Sequence, residues 1–291
     1  MPEPFIGSEA VAGKRVSKYT LSSRFVAVHP DVYIPRGTPL DAALRAKAAW
    51  LWSRRRGVIA GQSAAALHRA SWVDDRQPAE LLYDRRRPPG GVTTWSDRVE
   101  ADEVELIEGM PVTTPARTAL DLACRYRLGS AVAAIDALAR ATRLTMADVE
   151  SLARRYPGRR GIRRARRALD LVDAGAESPR ESWLRLLVIR AGFPPPRTQI
   201  PVYDEWTQLG AVLDLGGADI TVGLDYEGDH HRTSQRQFNK DIRRHEAVTG
   251  LGWIDLRITR EDTAGSIIGR VRDAWARRTC PEAENPADFS I

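Results

Sequence analysis

Val222-Gly223-Leu224-Asp225-Tyr226-Glu227-Gly228-Asp229-His230-His231, with Asp214 eleven residues before Asp225, decides how this chain is read. Val222, Leu224 and Tyr226 alternate with Gly223, Asp225 and Glu227, the period-two pattern of a half-buried strand. Asp225 and Glu227 therefore share one face, and the large apolar side chains take the other. Asp214 ends the apolar run Ala211, Val212, Leu213, and Gly216-Gly217 offers a turn between the two segments. Such a hairpin carries three carboxylates, Asp214, Asp225 and Glu227, onto one face. Packed strands tolerate a cluster of like charges when a cation neutralises it, so a divalent-metal site is one reading. A solvated loop after Tyr226, with Asp214 merely starting a turn, is the other.

Leu213-Asp214 and the string from Val222 to His231 resemble a family of actinobacterial proteins related to the very-short-patch-repair (Vsr) endonucleases. That family lies within the restriction-endonuclease-like, PD-(D/E)XK, superfamily. Other parts of its pattern occur in order. Ser178-Pro179-Arg180-Glu181-Ser182, the Gly192-Phe193-Pro194-Pro195-Pro196 break and Gln199 precede the hairpin. Lys240-Asp241-Ile242-Arg243-Arg244, Gly252-Trp253 and Leu256-Arg257 follow it, so the similarity covers roughly residues 176 to 278. The family's usual string is Glu-Tyr-Asp-Gly-x-x-His. Here the acids are exchanged, Asp225 standing where Glu is usual and Glu227 where Asp is usual. Glu227 also occupies the place of the superfamily's lysine, which Vsr-like members lack as well.

The resemblance implies a metal-dependent DNA endonuclease. A Mg²⁺ or Mn²⁺ ion on Asp214 and Asp225 would lower the pKa of its bound water and polarise a phosphate oxygen. Glu227 is then a third ligand or an outer base. His231 is a general base, a ligand, or a hydrogen bond that fixes the loop. Glu181 has two readings. Ser178-x-x-Glu181 with Pro179 at the first helical position is a capping box, whereas the resemblance implies a glutamate that reaches the metal site. Lys240 and Arg244, four apart on the following helix, either face phosphate or lie on a solvated face.

With 291 residues the chain has length for about two domains. Its net charge of +6 is almost all arginine, whose planar fork suits phosphate. The two cysteines, Cys124 and Cys280, have no ligand or disulfide spacing. With neither a signal peptide nor a membrane span visible, the expected location is cytoplasmic.

Residues 1–75 read as a winged-helix-like module: short helices at 8–13 and 17–23, then a hairpin through His29-Pro30-Asp31. The stretch from Phe25 to Gly37, with Gly61 to His68, resembles the N-terminal domain of AbiEi-type antitoxins, with its helical start truncated. Residues 76–175 read as a mixed strand and helical connecting region. Its Arg-rich helix has an apolar stripe, Ile162, Ala165, Leu169 and Val172, which turns Arg163, Arg164, Arg166 and Arg167 toward solvent as candidate DNA-phosphate contacts. Residues 176–279 form the nuclease-like α/β (α+β) domain in the order αβββαβα, and 280–291 a frayed tail. The alternative to an endonuclease is a non-catalytic DNA-binding protein, an antitoxin-like transcriptional regulator whose nuclease fold is inactive. An RNA nuclease is a third reading, because the metal chemistry is indifferent to the sugar.

Overall fold

The computed structural model describes residues 3–84, 87–203, 209–227 and 244–279. The chain divides into two compact units, Met1–Ala174 and Gly175–Ile291.

The first unit opens with β1 (Phe5–Ile6), α1 (Gly7–Ala12), α2 (Lys18–Arg24), β2 (Phe25–His29) and β3 (Val32–Pro35). Ser17 caps α2 by accepting the Thr20 N–H at 3.0 Å. The hairpin expected at His29-Pro30-Asp31 forms, with Asp31 at φ +64° in the turn, and β1 joins it in the order β1-β3-β2. Next come α3 (Ala42–Trp52), β4 (Val58–Ile59), α4 (Gly61–Leu67), β5 (Ala79–Leu82), β6 (Val92–Trp95), β7 (Val104–Ile107) and β8 (Met110–Thr113). The last five strands form a sheet in the order β6-β5-β4-β8-β7. Glu108 and Gly109, both at positive φ, make the two-residue β7–β8 turn. Ala46, Ala49 and Leu51 of α3 pack with Ile6 and Val32 of the small sheet and with Ile59, Leu81 and Val112 of the large one, in one core.

Four helices complete this unit: α5 (Pro115–Arg125), α6 (Leu128–Ala141), α7 (Met146–Arg154) and α8 (Ile162–Leu169). Thr114 caps α5, and Pro115 takes its first position, where a missing N–H costs nothing. Helix α5 is central, with every residue from Arg117 to Cys124 buried. The division expected near residue 75 is not where the chain separates. β4 and α4 precede that point yet pack in the same sheet layer as β5 to β8, and the break falls after Ala174.

The second unit runs α9 (Pro179–Arg190), β9 (Arg197–Tyr203), β10 (Leu209–Gly217), β11 (Val222–Tyr226), a helix at 244–250 (α10), β12 (Ile254–Ile258) and α11 (Ala264–Thr279). This is the expected element order, and the chain as a whole is mixed α and β. The sheet order is β12-β11-β10-β9, with β11 and β12 parallel and the other pairs antiparallel. Gly216-Gly217 does not make the turn. Both glycines lie in β10, and the chain reverses at Ala218–Ile220 with Thr221 at φ +48°. Gly216 pairs with Gly223, and a Cβ on Gly216 would come within 2.6 Å of the Val222 carbonyl oxygen. These glycines permit close strand approach rather than chain reversal.

The sheet also changes face midway. Gln199, at φ +50°, stands opposite Asp214 in a ladder that pairs Leu213 with Ile200 and Leu215 with Thr198. On one side of that irregularity, Leu215, Val222 and Leu224 pack with Leu184 and Val188 of α9 and Ile267 and Val271 of α11. On the other side, Ile200, Val202, Ala211 and Leu213 gather around Val248 of α10. Leu213 reaches the face onto which Gly223 turns, since a Cβ on Gly223 would lie 2.5 Å from Leu213 Cδ1. The two acids that mattered in the sequence sit at this crossing.

Candidate functional site

Beyond the pair Leu215–Leu224 the regular β10–β11 ladder stops, and carboxylates continue it. Asp225 Oδ1 accepts the Asp214 N–H at 2.8 Å, and Asp214 Oδ2 accepts the Tyr226 N–H at 2.9 Å. Each aspartate thus satisfies a main-chain donor that the diverging strands would leave orphaned. Asp225 is 3% exposed. Its second oxygen faces Arg244 of α10, with Nη1 at 2.6 Å, while Arg244 Nη2 donates to the Val212 carbonyl.

Burial, then the Asp225 charge, pushes the Asp214 carboxyl up to about 7, with Glu181 adding to the effect and the Tyr226 N–H and Arg244 opposing it. Burial also raises Asp225, against the pull of Arg244 and of the Asp214 N–H. Two carboxyls this close in a poorly solvated site do not both ionise freely. Arg244 favours the charge on Asp225, and Asp214 keeps its proton toward neutrality.

Glu227 turns to β12, where its Oε1 pairs with Arg257 Nε at 2.8 Å. Arg257 stands directly beside Asp225 in the parallel register. Glu181 is buried at the start of α9, where its carboxylate accepts the Glu177 N–H at 2.7 Å and the Ser178 hydroxyl at 2.8 Å. Ser178 Oγ in turn accepts the Glu181 N–H at 3.2 Å, so the N-terminal cap forms while the Glu181 charge still reaches Asp214. His231 and Lys240 lie outside the described residues.

Arg244 was expected to face phosphate. It instead turns inward onto Asp225, because a buried carboxylate needs a counter-charge more than an exposed helix needs a cation. Asp255, His245 and Arg257 were missed. Asp255 is buried beside Gly223 and bonds His245 Nδ1 at 2.7 Å. The signal was available, since Ile254-Asp255-Leu256-Arg257-Ile258 has the same period-two alternation as β11.

A divalent ion needs oxygen donors that are not already committed. Among the described residues, no group of three or more His, Cys, Asp or Glu side chains is arranged to hold a metal ion. Asp225 is paired with Arg244 and Glu227 with Arg257, so a divalent cation bound to these carboxylates would compete with both guanidinia.

In the first unit, Arg163, Arg164, Arg166 and Arg167 are all exposed on α8, opposite buried Ile162, Ala165, Ala168 and Leu169. Arg164 also donates to the Cys124 carbonyl, which leaves its neighbours as the more open cations of this face. The adjoining arginines behave differently. Arg155 forks onto Asp102 at 2.8 and 2.9 Å, and Arg159 reaches Asp121.

Residues 57–171 match the family of the AbiEi antitoxin C-terminal domain. The match spans β4 to α8, most of it the stretch expected to be a connecting region. The match includes Gly61–His68 of the expected antitoxin-like stretch and does not extend over residues 25–37. Two uncharacterized proteins from strains of Mycobacterium tuberculosis, MT2308 and Rv2248, are each 32% identical over 178 residues. That segment is 61% of this chain and spans 65% of the relatives' own length. No solved structure matches the chain. No helix among the described residues is long and apolar enough to cross a membrane.

Proposed function

We propose that the chain is a non-catalytic, DNA-binding protein of antitoxin-like type, whose second unit is a restriction-endonuclease-like scaffold. The observation that carries this reading is the internal neutralisation of its acids. Arg244 and Arg257 supply positive charge to Asp225 and Glu227. The likeness of residues 57–171 to an antitoxin domain supports the first part of the reading, as does the exposed arginine face of α8. On this reading Arg163, Arg166 and Arg167 hold the DNA backbone without reading bases.

The competing reading is a Mg²⁺- or Mn²⁺-dependent endonuclease, and the adjacent Asp214 and Asp225, with Glu181 near them, speak for it. One experiment separates the two. Purified protein is incubated with plasmid, single-stranded DNA and RNA, with and without Mg²⁺ or Mn²⁺, and binding is followed on native gels. Metal-independent binding without cleavage is the expected result. Cleavage that needs metal and disappears in both Asp214→Ala and Asp225→Ala would replace the scaffold with a nuclease.

A further inference from the structure

β7 (Val104–Ile107) is one edge of the five-stranded sheet and pairs with β8 alone among the described strands. Its two-residue turn makes Ile107 and Met110 the closing hydrogen-bonded pair, so Glu105 with Val112 is the next such pair and Glu103 with Thr114 the one after. The Thr114 N–H, donated to the Glu103 carbonyl at 2.9 Å, agrees with this phase. So does Pro111, which has no N–H to give and stands opposite Leu106. The N–H and C=O of Val104 and Leu106 therefore point away from β8, and among the described residues no hydrogen bond takes them. The other edge differs, since the outward N–H of Val92 in β6 is donated to the Pro89 carbonyl at 3.2 Å.

Leu106 is 74% exposed on this open edge. Free main-chain groups beside an exposed leucine form a template for another strand. Charge decides which strand fits. From Glu100 to Glu108 the chain carries five acids and no base, in a protein of net charge +6. Glu100 is balanced by Arg98, Asp102 by Arg155 and Glu103 by Arg117. Glu105 and Glu108 have no arginine or lysine partner among the described residues. His68 Nδ1 lies 3.6 Å from Glu105, but the ring donates its Nε2–H to the Thr113 carbonyl at 2.8 Å, so a neutral imidazole has no proton left for Glu105. A second copy of the chain fits badly. The antiparallel register that uses Val104 and Leu106 of both copies sets Glu105 directly opposite Glu105, and like charges so placed repel. Nucleic acid is disfavoured by the same two acids.

We propose that β7 takes an extended, basic segment of a partner protein as a sixth, antiparallel strand of this sheet. Its main chain would bond Val104 and Leu106, its apolar residues would stand opposite those two, and basic residues would stand opposite Glu105 and Glu108. This surface is separate from the arginine face of α8 and does not depend on DNA binding.

The test is fluorescence anisotropy with the labelled peptide Lys-Thr-Val-Lys-Val-Thr, blocked at both ends, against the full chain. Saturable binding below about 1 mM is expected, unaffected by duplex DNA. The same peptide with Glu for Lys, or with Pro for both Val, should not bind. Leu106→Pro removes one outward N–H and the exposed side chain but no β8 bond, and should weaken binding about fivefold or more. Should that variant not fold, Glu105→Lys decides, because its half-exposed side chain tolerates exchange; it should weaken the basic peptide about threefold or more. The proposal fails if the basic peptide does not bind, if the acidic or proline peptide binds as well, or if the folded variants bind like wild type. A dimer of the free protein that Leu106→Pro dissolves would put a second copy on this edge and overturn it too.

Discussion

Replacing Asp214 by Asn tests the electrostatics of the second unit most directly. The carboxyl moves from 3.8 in its unperturbed state to about 7 in the folded chain. Between those values the folded protein holds a proton that the unfolded chain has released. Stability therefore falls as pH rises through this window and levels off above it. At about 1.4 kcal/mol per pH unit the full gap corresponds to ~4 kcal/mol. Asp214 is only partly buried, and solvent screening near the surface reduces this to about 2 kcal/mol. Asn cannot ionise, yet its oxygen still accepts the Tyr226 N–H. Asp214→Asn should therefore be about 2 kcal/mol more stable than wild type near pH 8 and indistinguishable from it near pH 4. Urea unfolding followed by tryptophan fluorescence across that range gives both profiles. Parallel profiles, or a variant less stable near pH 8, would refute the proposed proton on Asp214. A parallel series with excess Mg²⁺ adds a second readout. Stabilisation of wild type but not of the variant would mean that these carboxylates hold a cation after all.

Other substitutions probe neighbouring parts of the argument. Arg244→Gln leaves Asp225 buried without its cation and should cost about 2 kcal/mol near neutral pH, less than a fully buried pair because Arg244 is 29% exposed. Urea unfolding should show this loss shrinking in acid as Asp225 takes up a proton; a pH-independent loss would argue for packing instead. Exchanging Arg163, Arg166 and Arg167 for Gln should weaken binding to all DNA sequences alike and flatten the plot of log K against log salt by about 0.9 per lost contact. An unchanged slope would return α8 to an ordinary solvated face. Ser178→Ala removes the N-cap of α9 and should cost about 1 kcal/mol in the same unfolding assay, with no effect on DNA binding.

How far each feature was legible in the sequence depends on the range of the interaction behind it. β11 could be read because alternation is a local property, and α9 because Ser178, Pro179 and Glu181 write a helix start within four residues. Gly216-Gly217 misled because glycine serves both turns and close strand contacts, and only the pairing of Gly216 with Gly223 distinguishes them. The arginines were harder still. Arg155, Arg159, Arg163 and Arg167 look alike in a basic run, yet the first two turn into a carboxylate network around α5 and the last two face water. Their acceptors, Asp102 and Asp121, lie 53 and 38 residues away, so no local pattern reveals the difference.

The same limit governs the acid cluster. A sequence displays the carboxylates at Asp214, Asp225 and Glu227 but not the cation that balances them, and a metal or a guanidinium satisfies the same Coulomb requirement. Folding decides between them by what α10 and β12 bring alongside. Here Arg244 and Arg257 arrive with the fold itself, beside Asp225 and Glu227. A catalytic ion on Asp225 would share that carboxylate with Arg244, a guanidinium now engaged by both Asp225 and the Val212 carbonyl.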